Sequence, residues 1–334
     1  MNLVIHAPNV HQGGGRTLLL ALLQAARDIP CTIILDSRLE LPPTLPSSLA
    51  IMRVLPTPVS RLVAEWRLSN MTKGGDVVLC FGNLPPMWRT AANVKVFLQN
   101  RYLVARRDLD SLDWRTRLRI VLERFWLRTF LRRAQLIVQT ESMRLEVQAA
   151  LGVEASVIPF SSPCNQKWSG QFPRQFDFIY VASGEPHKNH QNLVAAWSIL
   201  AKDELRPSLC LTLDPGRERS LLEWIDERVQ RDHLNIQNIG ALPRTGVSLL
   251  YGNVNALIYP SLFESFGLPL IEAEEAGLPM VASERDYVRD VVTPAQTFDP
   301  TSPLSIARAV KRFQGETEAR PAVLSPEEFL RRVM

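Results

Sequence analysis

Short apolar runs alternate with longer segments of helical period along nearly the whole chain. In the first half, LVIHA is followed by a glycine turn, a helical segment and the next apolar run, CTIILD. The runs DVVLCFG, VKVFLQN, AQLIVQT and ASVIPF continue this pattern, with helical segments before the last two. Strands that alternate with helices form mostly parallel sheets covered on both faces. The alternation therefore predicts an α/β protein.

The alternation stops at residues 161–175, where Pro, Ser and Gly collect in SSPCNQKWSGQFPRQ, and it restarts at FDFIYVAS. A single core usually stops growing at about 250 to 300 residues, and the chain has 334. We therefore predict two doubly wound domains, at residues 1–165 and 166–334, with 161–175 as the linker. Such domains bind ligands at the carboxyl ends of their strands, so a cleft between them is the expected site.

The stretch YPSLFESFGLPLIEAEEAGLPMVAS, residues 259–283, carries two glutamates on either side of a tight corner. Pro269 suits the first turn of a helix, where a missing N–H has no cost, so the helix is predicted to begin near Leu268 and to end at Gly277. Glu264 then lies in the loop before the helix, and Glu272 lies on its second turn.

The backbone amides of Phe266, Gly267 and Leu268 would lie between these carboxylates, at the positive end of the helix dipole. A helix N-terminus of this kind is an anion site. The arrangement predicts a long ligand, with hydroxyl groups at each glutamate and a diphosphate at the amides.

The stretch ESFGLPLIE resembles the E-x7-E signature of the retaining glycosyltransferases of family 4, the glycosyl transferases group 1, which have the GT-B fold. YPSLF, YVASGEPHKNHQNLVAAW and the N-terminal GGGR turn are also similar to this family. The resemblance implies a GT-B fold, with two Rossmann-like domains and an interdomain cleft. It further implies that the first domain binds the acceptor and the second binds a nucleotide-sugar donor.

Site residues follow from the resemblance position by position. Glu264 matches the glutamate that faces the donor sugar, and Lys188 matches the basic residue at the diphosphate; these two are the expected catalytic residues. Glu272 matches the residue that binds the ribose hydroxyls. The remaining expected donor-binding positions are Gly13, Gly14, Gly15, His187, Phe266, Gly267 and Leu268.

Two positions depart from the family pattern. Many members carry an arginine five residues before the lysine, where this chain has Ser183. We expect His187 and His190, which flank the lysine, to supply compensating donors. Many also carry a histidine after a first-domain strand such as VKVFLQN, where this chain has Gln99, Asn100 and Arg101. A neutral amide can orient hydroxyl groups but does not titrate near neutral pH.

Positive charge concentrates in the segment from Arg101 to Arg133, which contains ten arginines and four acidic residues. Apolar residues recur there at helical spacing, and Arg117, Arg124 and Arg128 line another face. One interpretation is a helix that packs on the core and leaves a basic face in water. The other is that this basic face meets anionic lipid headgroups or a lipid diphosphate acceptor. No nucleic-acid recognition module accompanies the arginines.

Composition and leader signals favour a cytoplasmic protein. No run reaches the roughly 18 apolar residues of a spanning helix, and MNLVIHAP has no basic region before its apolar segment. The four cysteines have neither metal nor redox spacing. We therefore expect no metal site. The family resemblance implies no cofactor either, with a UDP- or GDP-linked sugar as the donor substrate. The protein would act in the cytoplasm or peripherally on the inner face of the membrane.

The leading function from the sequence is a retaining, metal-independent glycosyltransferase. It would move a sugar to a saccharide or lipid-linked saccharide in surface polysaccharide biosynthesis. One alternative is a catalytically inactive GT-B protein that binds sugars or nucleotides. A third is an NAD-dependent oxidoreductase, because Asp36 ends the second strand after a glycine turn, although GGGRTL lacks the third glycine of that fingerprint.

Overall fold

The structure is a computed structural model and describes residues 2–26, 29–43, 45, 49–105, 109, 112–161, 175–316 and 331. Two separate sheets occupy the described residues, one in each half of the chain, and every strand pair in both is parallel. The predicted α/β architecture is thereby confirmed. Nearly all of the predicted linker and the predicted boundary at 165/166 lie outside the described residues.

The first sheet has strand order β3-β2-β1-β4-β5-β6-β7. Its strands are β1 (Leu3–Ala7), β2 (Cys31–Asp36), β3 (Ala50–Val54), β4 (Val77–Cys80), β5 (Asn93–Phe97), β6 (Gln135–Val138) and β7 (Ala155–Val157). Its helices are α1 (Gly13–Ala25), α2 (Pro58–Met71), α3 (Trp114–Phe130) and α4 (Glu141–Leu151). The order reverses between β1 and β4, so the carboxyl ends of these strands form a crevice.

The second sheet has strand order β10-β9-β8-β11-β12-β13. Its strands are β8 (Phe176–Tyr180), β9 (Leu209–Leu211), β10 (Ile236–Asn238), β11 (Val254–Tyr259), β12 (Met280–Ser283) and β13 (Gln296–Phe298). Its helices are α5 (His190–Lys202), α6 (Arg219–Asp232), α7 (Arg244–Tyr251), α8 (Leu268–Glu275), α9 (Asp286–Arg289) and α10 (Pro303–Phe313). The order reverses between β8 and β11.

Separate hydrophobic cores hold the two halves together. One cluster joins the second sheet to its helices around the fully buried Trp197. The first sheet has a cluster on each face, one with α1 and one with α2, α3 and α4. Cys31, Cys80 and Cys210 are buried free thiols, as expected of core cysteines, and Cys164 is outside the described residues.

The orientation of α3 differs from both interpretations of its sequence. Its core contacts come from Ile120 and Leu127, whereas the expected apolar face is largely exposed. The exposed members are Trp114, Leu118, Val121, Leu122 and Phe125.

The predicted basic face of α3 is correspondingly wrong in two of its three residues. Arg124 donates to the carbonyl oxygens of Tyr102 and Ala105 at 2.9 and 3.0 Å, and Arg117 donates to those of Leu109 and Leu112. These guanidinium groups fold onto the preceding loop because they satisfy carbonyl groups there. Arg128 is exposed, while Arg106, Arg107, Asp108 and Asp110 of the same segment are outside the described residues.

Candidate functional site

The predicted corner before α8 is confirmed. The helix begins at Leu268 with Pro269 in its first turn, and Gly267 has a φ of +77°. A side chain at Gly267 would be strained by that φ and would also lie 3.0 Å from Leu270 Cδ1. Glu264 lies in the loop, and Glu272 lies inside the helix.

A cavity of about 580 Å³ lies between the carboxyl ends of the two sheets. β8 and β11, the strands on either side of the order reversal, lead into its walls through Val181 and Tyr259. All of the predicted site residues except His187 line it: Gly13, Gly14, Gly15, Lys188, Glu264, Phe266, Gly267, Leu268 and Glu272. Residues from both sheets thus form one cleft, at the place where doubly wound folds bind ligands.

Lys188 and Glu264 form an ion pair in this cavity. The Lys188 ammonium lies 2.6 Å from Glu264 Oε1, and the Tyr259 hydroxyl donates to the same oxygen at 3.2 Å. The backbone around Lys188 is also fixed, since the Tyr180 hydroxyl donates to its carbonyl oxygen at 2.7 Å. A cation and a carboxylate are therefore held together at the carboxyl ends of β8 and β11, the two central strands.

Glu272, on the second turn of α8, forms an ion pair with Arg244. The Arg244 guanidinium donates to Glu272 Oε1 at 2.8 Å. Burial raises the pKa of Glu272, and the charge and hydrogen bond of Arg244 oppose that rise. The carboxylate is thus partly shielded from water, and the neighbouring guanidinium favours its ionised form, which accepts hydrogen bonds from a ligand.

The glycine turn of the first half lies against the start of α8. Gly13 begins α1 with a φ of +66°, and a Cβ placed on Gly14 would lie 3.3 Å from Leu268 Cδ1. The N-termini of α1 and α8 therefore line the same cavity. The first amides of each helix lack partners within that helix, so both ends favour an anion.

Arg101 joins the two halves of the chain beside Glu264. Its Nη1 donates to the Glu264 carbonyl oxygen at 2.8 Å, and its Nε donates to both oxygens of Glu146 at 3.0 and 2.9 Å. Its guanidinium also lies 4.7 Å above the Phe263 ring. The loop that carries Glu264 is thereby fixed from the first half of the chain.

Gln99 occupies the place where many family members carry a histidine, and it lines the cavity. Its side-chain amide donates to the Phe81 carbonyl oxygen at 3.2 Å, while its backbone N–H donates to Asn83 Oδ1. Its Oε1 lies 3.5 Å from where a Cβ on Gly15 would be. The amide oxygen is therefore directed toward the glycine turn, where it can accept a hydrogen bond from a hydroxyl group of a ligand.

The structure places His187 beside the cavity and not in its lining. Its Nδ1 lies 3.4 Å from the Tyr102 hydroxyl, and its ring packs edge-on against Phe263. The position of His187 gives no support to its expected contact with the nucleotide-sugar donor. His190 is buried against Tyr180, and burial lowers the pKa of its imidazole to about 4.

Sequence reasoning missed several residues of the site, among them Tyr259, Arg217 and Arg244 in the cavity lining and Arg101 beside it. Arg217 lines the cavity from the loop after β9, is exposed, and has no ion pair with a residue in the described ranges. The signal available for Arg217 was its position just after a strand end, where ligands collect in parallel sheets. Arg101 and Arg244 carry no local signal.

The oxidoreductase alternative loses its acidic residue. Asp36 is fully buried and accepts from Nε and Nη2 of Arg38 at 2.9 and 2.7 Å. Its carboxylate is therefore occupied by a neighbour two residues away.

The described residues contain neither a metal-binding group of side chains nor a membrane-spanning helix. In that part of the chain, no three His, Cys, Asp or Glu side chains are grouped so that they could hold a metal ion. None of the helices described is both long enough and apolar enough to cross a bilayer.

The sequence and the fold are similar to those of known glycosyltransferases. The family model of the glycosyl transferases group 1 matches residues 165–322. The O-antigen chain mannosyltransferase B of Escherichia coli is 32% identical over 151 residues, which are 44% of this chain and 39% of that relative. The match thus spans about two fifths of the curated relative's length.

Solved structures with the same fold cover nearly the whole chain. Anabaena Alr3699/HepE in complex with UDP and glucose has a TM-score of 0.70 at 14% identity, covering 92% of this chain and 89% of that one. Sucrose-phosphate synthase from Thermosynechococcus elongatus has a TM-score of 0.71 at 16% identity, covering 94% and 90%. The chain therefore has the GT-B fold, and its residues 165–322 are similar to the glycosyl transferases group 1.

Proposed function

We propose that this protein is a retaining glycosyltransferase that uses a nucleoside diphosphate sugar. The observation that carries the proposal is the single cavity that holds the Lys188–Glu264 pair, Glu272 and the N-termini of α1 and α8. The first half of the chain would bind the acceptor and the second half the donor.

The donor would lie along the corner before α8. Glu272 accepts hydrogen bonds from the ribose hydroxyls, and the amides at the start of α8 bind the diphosphate. Lys188 and Arg217 face the diphosphate as cations, so that Arg217 takes the place of the arginine that Ser183 replaces. Glu264 then holds hydroxyl groups of the sugar.

The chemistry of transfer follows from where charge develops. The bond between the anomeric carbon and the phosphate oxygen breaks, and negative charge grows on that oxygen. A fixed ammonium and the helix amides stabilise this charge without reorganising. The acceptor oxygen attacks the anomeric carbon from the side the phosphate leaves, and its proton passes to the departing phosphate. Glu264 stabilises the positively charged sugar ring after the phosphate departs and before the acceptor oxygen bonds.

No metal ion is required in this scheme, because Lys188, Arg217 and the two helix N-termini supply the positive charge. Removal of one such donor from an enzyme typically lowers kcat by about 10²- to 10³-fold.

The donor and acceptor are proposed from the relatives and from the fold. HepE is described in complexes with UDP and with UDP-glucose, and the relative from Escherichia coli is called an O-antigen chain mannosyltransferase. We therefore propose a UDP- or GDP-linked hexose, with a mannosyl donor as the first to test. The acceptor would be a saccharide or a lipid-linked saccharide used in surface polysaccharide synthesis at the cytoplasmic face of the membrane.

The test is a transfer assay with UDP- and GDP-linked glucose and mannose in the presence of a lipid-linked saccharide. Release of nucleoside diphosphate that depends on the acceptor, with an α-linked product from an α-linked donor, is the expected result. A β-linked product would contradict the retaining mechanism. Nucleotide binding without turnover on any acceptor would instead favour the inactive GT-B alternative, which the departures at Ser183 and Gln99 keep open.

A further inference from the structure

The outer side of α3 is an exposed apolar stripe. Trp114 and Phe125 are 68% and 70% exposed, at the two ends of the stripe. Leu118, Val121 and Leu122 lie between them at helical spacing and are also more than half exposed. The inner side of the same helix already supplies the core contacts through Ile120 and Leu127. The stripe is thus apolar surface that the domain's own core does not cover.

A second stripe lies on α2. Its members are Val59, Leu62, Val63 and Trp66, which recur at i, i+3, i+4 and i+7. The two helices pack on the same face of the first sheet, since Ala64 and Leu68 of α2 share one core cluster with Ile120 and Leu127 of α3.

The charge of Arg61 on α2 acts on Glu123 of α3. Burial raises the pKa of Glu123, and Arg119 and Arg61 oppose the rise. We call the nine exposed apolar residues of these two stripes the α2–α3 apolar face. Two exposed apolar stripes on helices that cover the same face of a sheet are typical of a binding surface.

The border of the α2–α3 apolar face is basic. The acidic residues of the two helices are Glu65, which is buried, and the half-buried Glu123. One exposed acidic residue, Asp113, caps the N-terminus of α3 beside Trp114. The guanidinium of Arg115 lies 5.3 Å above the Trp114 ring, at the edge of the stripe. The arginines of the border are Arg61, Arg67, Arg115, Arg119 and Arg128.

We propose that α2 and α3 lie on an anionic lipid bilayer, with the α2–α3 apolar face buried among the acyl chains near the headgroups. Apolar residues with two tryptophans, bordered by arginines, fit an interface that is apolar below and negatively charged above. This placement differs from the predicted basic face, because Arg117 and Arg124 are directed inward. It holds whether or not the proposed sugar transfer is correct.

The same helix connects the bilayer to the cavity. Arg124 on the inner side of α3 holds the carbonyl oxygen of Tyr102, and the neighbouring Arg101 holds the carbonyl oxygen of Glu264. Residues 101–105 would therefore connect a bilayer-bound α3 to the loop that carries Glu264. A ligand with a lipid anchor would have a short path to the cleft.

The test is co-sedimentation of the full chain with vesicles of phosphatidylcholine alone and of phosphatidylcholine mixed with phosphatidylglycerol. The apolar variant combines Trp114→Ser, Leu118→Ser and Phe125→Ser, and the charge variant combines Arg115→Ser, Arg119→Ser and Arg128→Ser. The matched controls are Leu249→Ser with Leu304→Ser and, for charge, Arg219→Ser, all exposed positions of the second half.

Wild type and controls should bind the anionic vesicles, and each triple variant should lower the partition coefficient by at least about tenfold. Melting temperatures equal to that of wild type would show that the variants fold. The proposal is overturned if wild type binds neither vesicle, or if it binds both equally. It is also overturned if the triple variants bind like the controls. A dimer of wild type in light scattering that the apolar variant abolishes would assign the face to a second copy instead.

Discussion

The ammonium of Lys188 and the carboxylate of Glu264 lie 2.6 Å apart, although 76 residues separate them in the chain. β8 and β11 are hydrogen-bonded neighbours in the sheet, and each of these residues follows the carboxyl end of one of them. The pair is therefore built by the reversal of strand order. In the proposed mechanism the ammonium would turn to the diphosphate when the donor binds.

Replacing Lys188 by alanine should lower kcat/KM for sugar transfer by about 10²- to 10³-fold, because a charge that stabilises the leaving group is lost. The exposed Lys202→Ala in the same domain is the matched control and should leave the rate unchanged. Steady-state kinetics with a saturating acceptor measure the effect. A loss of less than a few fold in a folded variant would remove Lys188 from the mechanism.

Nucleotide binding should weaken on acidification at a higher pH than the usual pKa of a glutamate. Burial raises the pKa of Glu272, and a protonated carboxyl accepts fewer hydrogen bonds from ribose hydroxyls. As the pH falls through the raised pKa, the affinity should fall with it. Titration calorimetry between about pH 5 and pH 8 measures this.

Two variants separate Glu272 from other titrating groups. In Arg244→Ala the fall should move to higher pH, since the partner that opposes the rise is lost. In Glu272→Gln the affinity should be low and nearly independent of pH. A wild-type pH profile that Glu272→Gln retains would assign the titration to another group.

Arg101 and Glu146 should be coupled in both stability and activity. Arg101 links Glu146 to the Glu264 carbonyl oxygen, so removal of either partner releases the loop that carries Glu264. A double-mutant cycle with Arg101→Ala and Glu146→Ala should give a coupling energy of about 1 to 3 kcal/mol. The cycle is measured by urea unfolding and by kcat/KM. Additive effects in both measurements would show that the bridge has no role.

A buried pair in the first domain should shape the pH dependence of stability. His6 Nε2 lies 3.3 Å from Glu65 Oε1, and the Met87 amide donates to Glu65 Oε2 at 3.1 Å. Burial raises the pKa of Glu65 from 4.5 to about 7 and lowers that of His6 from 6.5 to about 4. Both side chains are thus neutral in the folded protein over most of the range between about pH 4 and about pH 7.

Between pH 4.5 and about 7 the folded protein holds a proton on Glu65 that the unfolded chain has released, so Glu65 makes stability fall as the pH rises. Glu65→Gln removes this slope. The free energy of unfolding of the variant relative to wild type should therefore increase with pH across this window, by up to about 1.4 kcal/mol per pH unit. Urea titrations with Glu40→Gln as the exposed control measure it. A difference that stays constant with pH would contradict the neutral pair.

The fold could be predicted from the sequence because its signals are local. The alternation of strands and helices, and the glycine and proline at the start of α8, each act within a few residues. The positions of Glu264 and Glu272 relative to that helix followed from the same local rules.

The partners of the site residues could not be predicted, because they depend on distant chain segments. Arg244 meets Glu272 across 28 residues, and Arg101 meets the Glu264 carbonyl across 163. The orientation of α3 also escaped prediction. A helical period separates two faces, but it does not say which one packs on the sheet, and here long arginines folded inward onto carbonyl groups while the aromatic residues stayed outside.

The most direct test of the proposed donor site is nucleotide binding by Glu272→Ala and by Glu274→Ala, an exposed glutamate on the same helix. Thermal shifts would be measured with UDP, GDP, ADP and NAD for wild type and both variants. At a ligand concentration about 100 times Kd, binding adds about 2.7 kcal/mol of stability, which raises Tm measurably. We predict a shift of wild type with UDP or GDP that Glu274→Ala keeps and a folded Glu272→Ala loses. No shift with any diphosphate, or a shift that Glu272→Ala keeps, would contradict the proposed site.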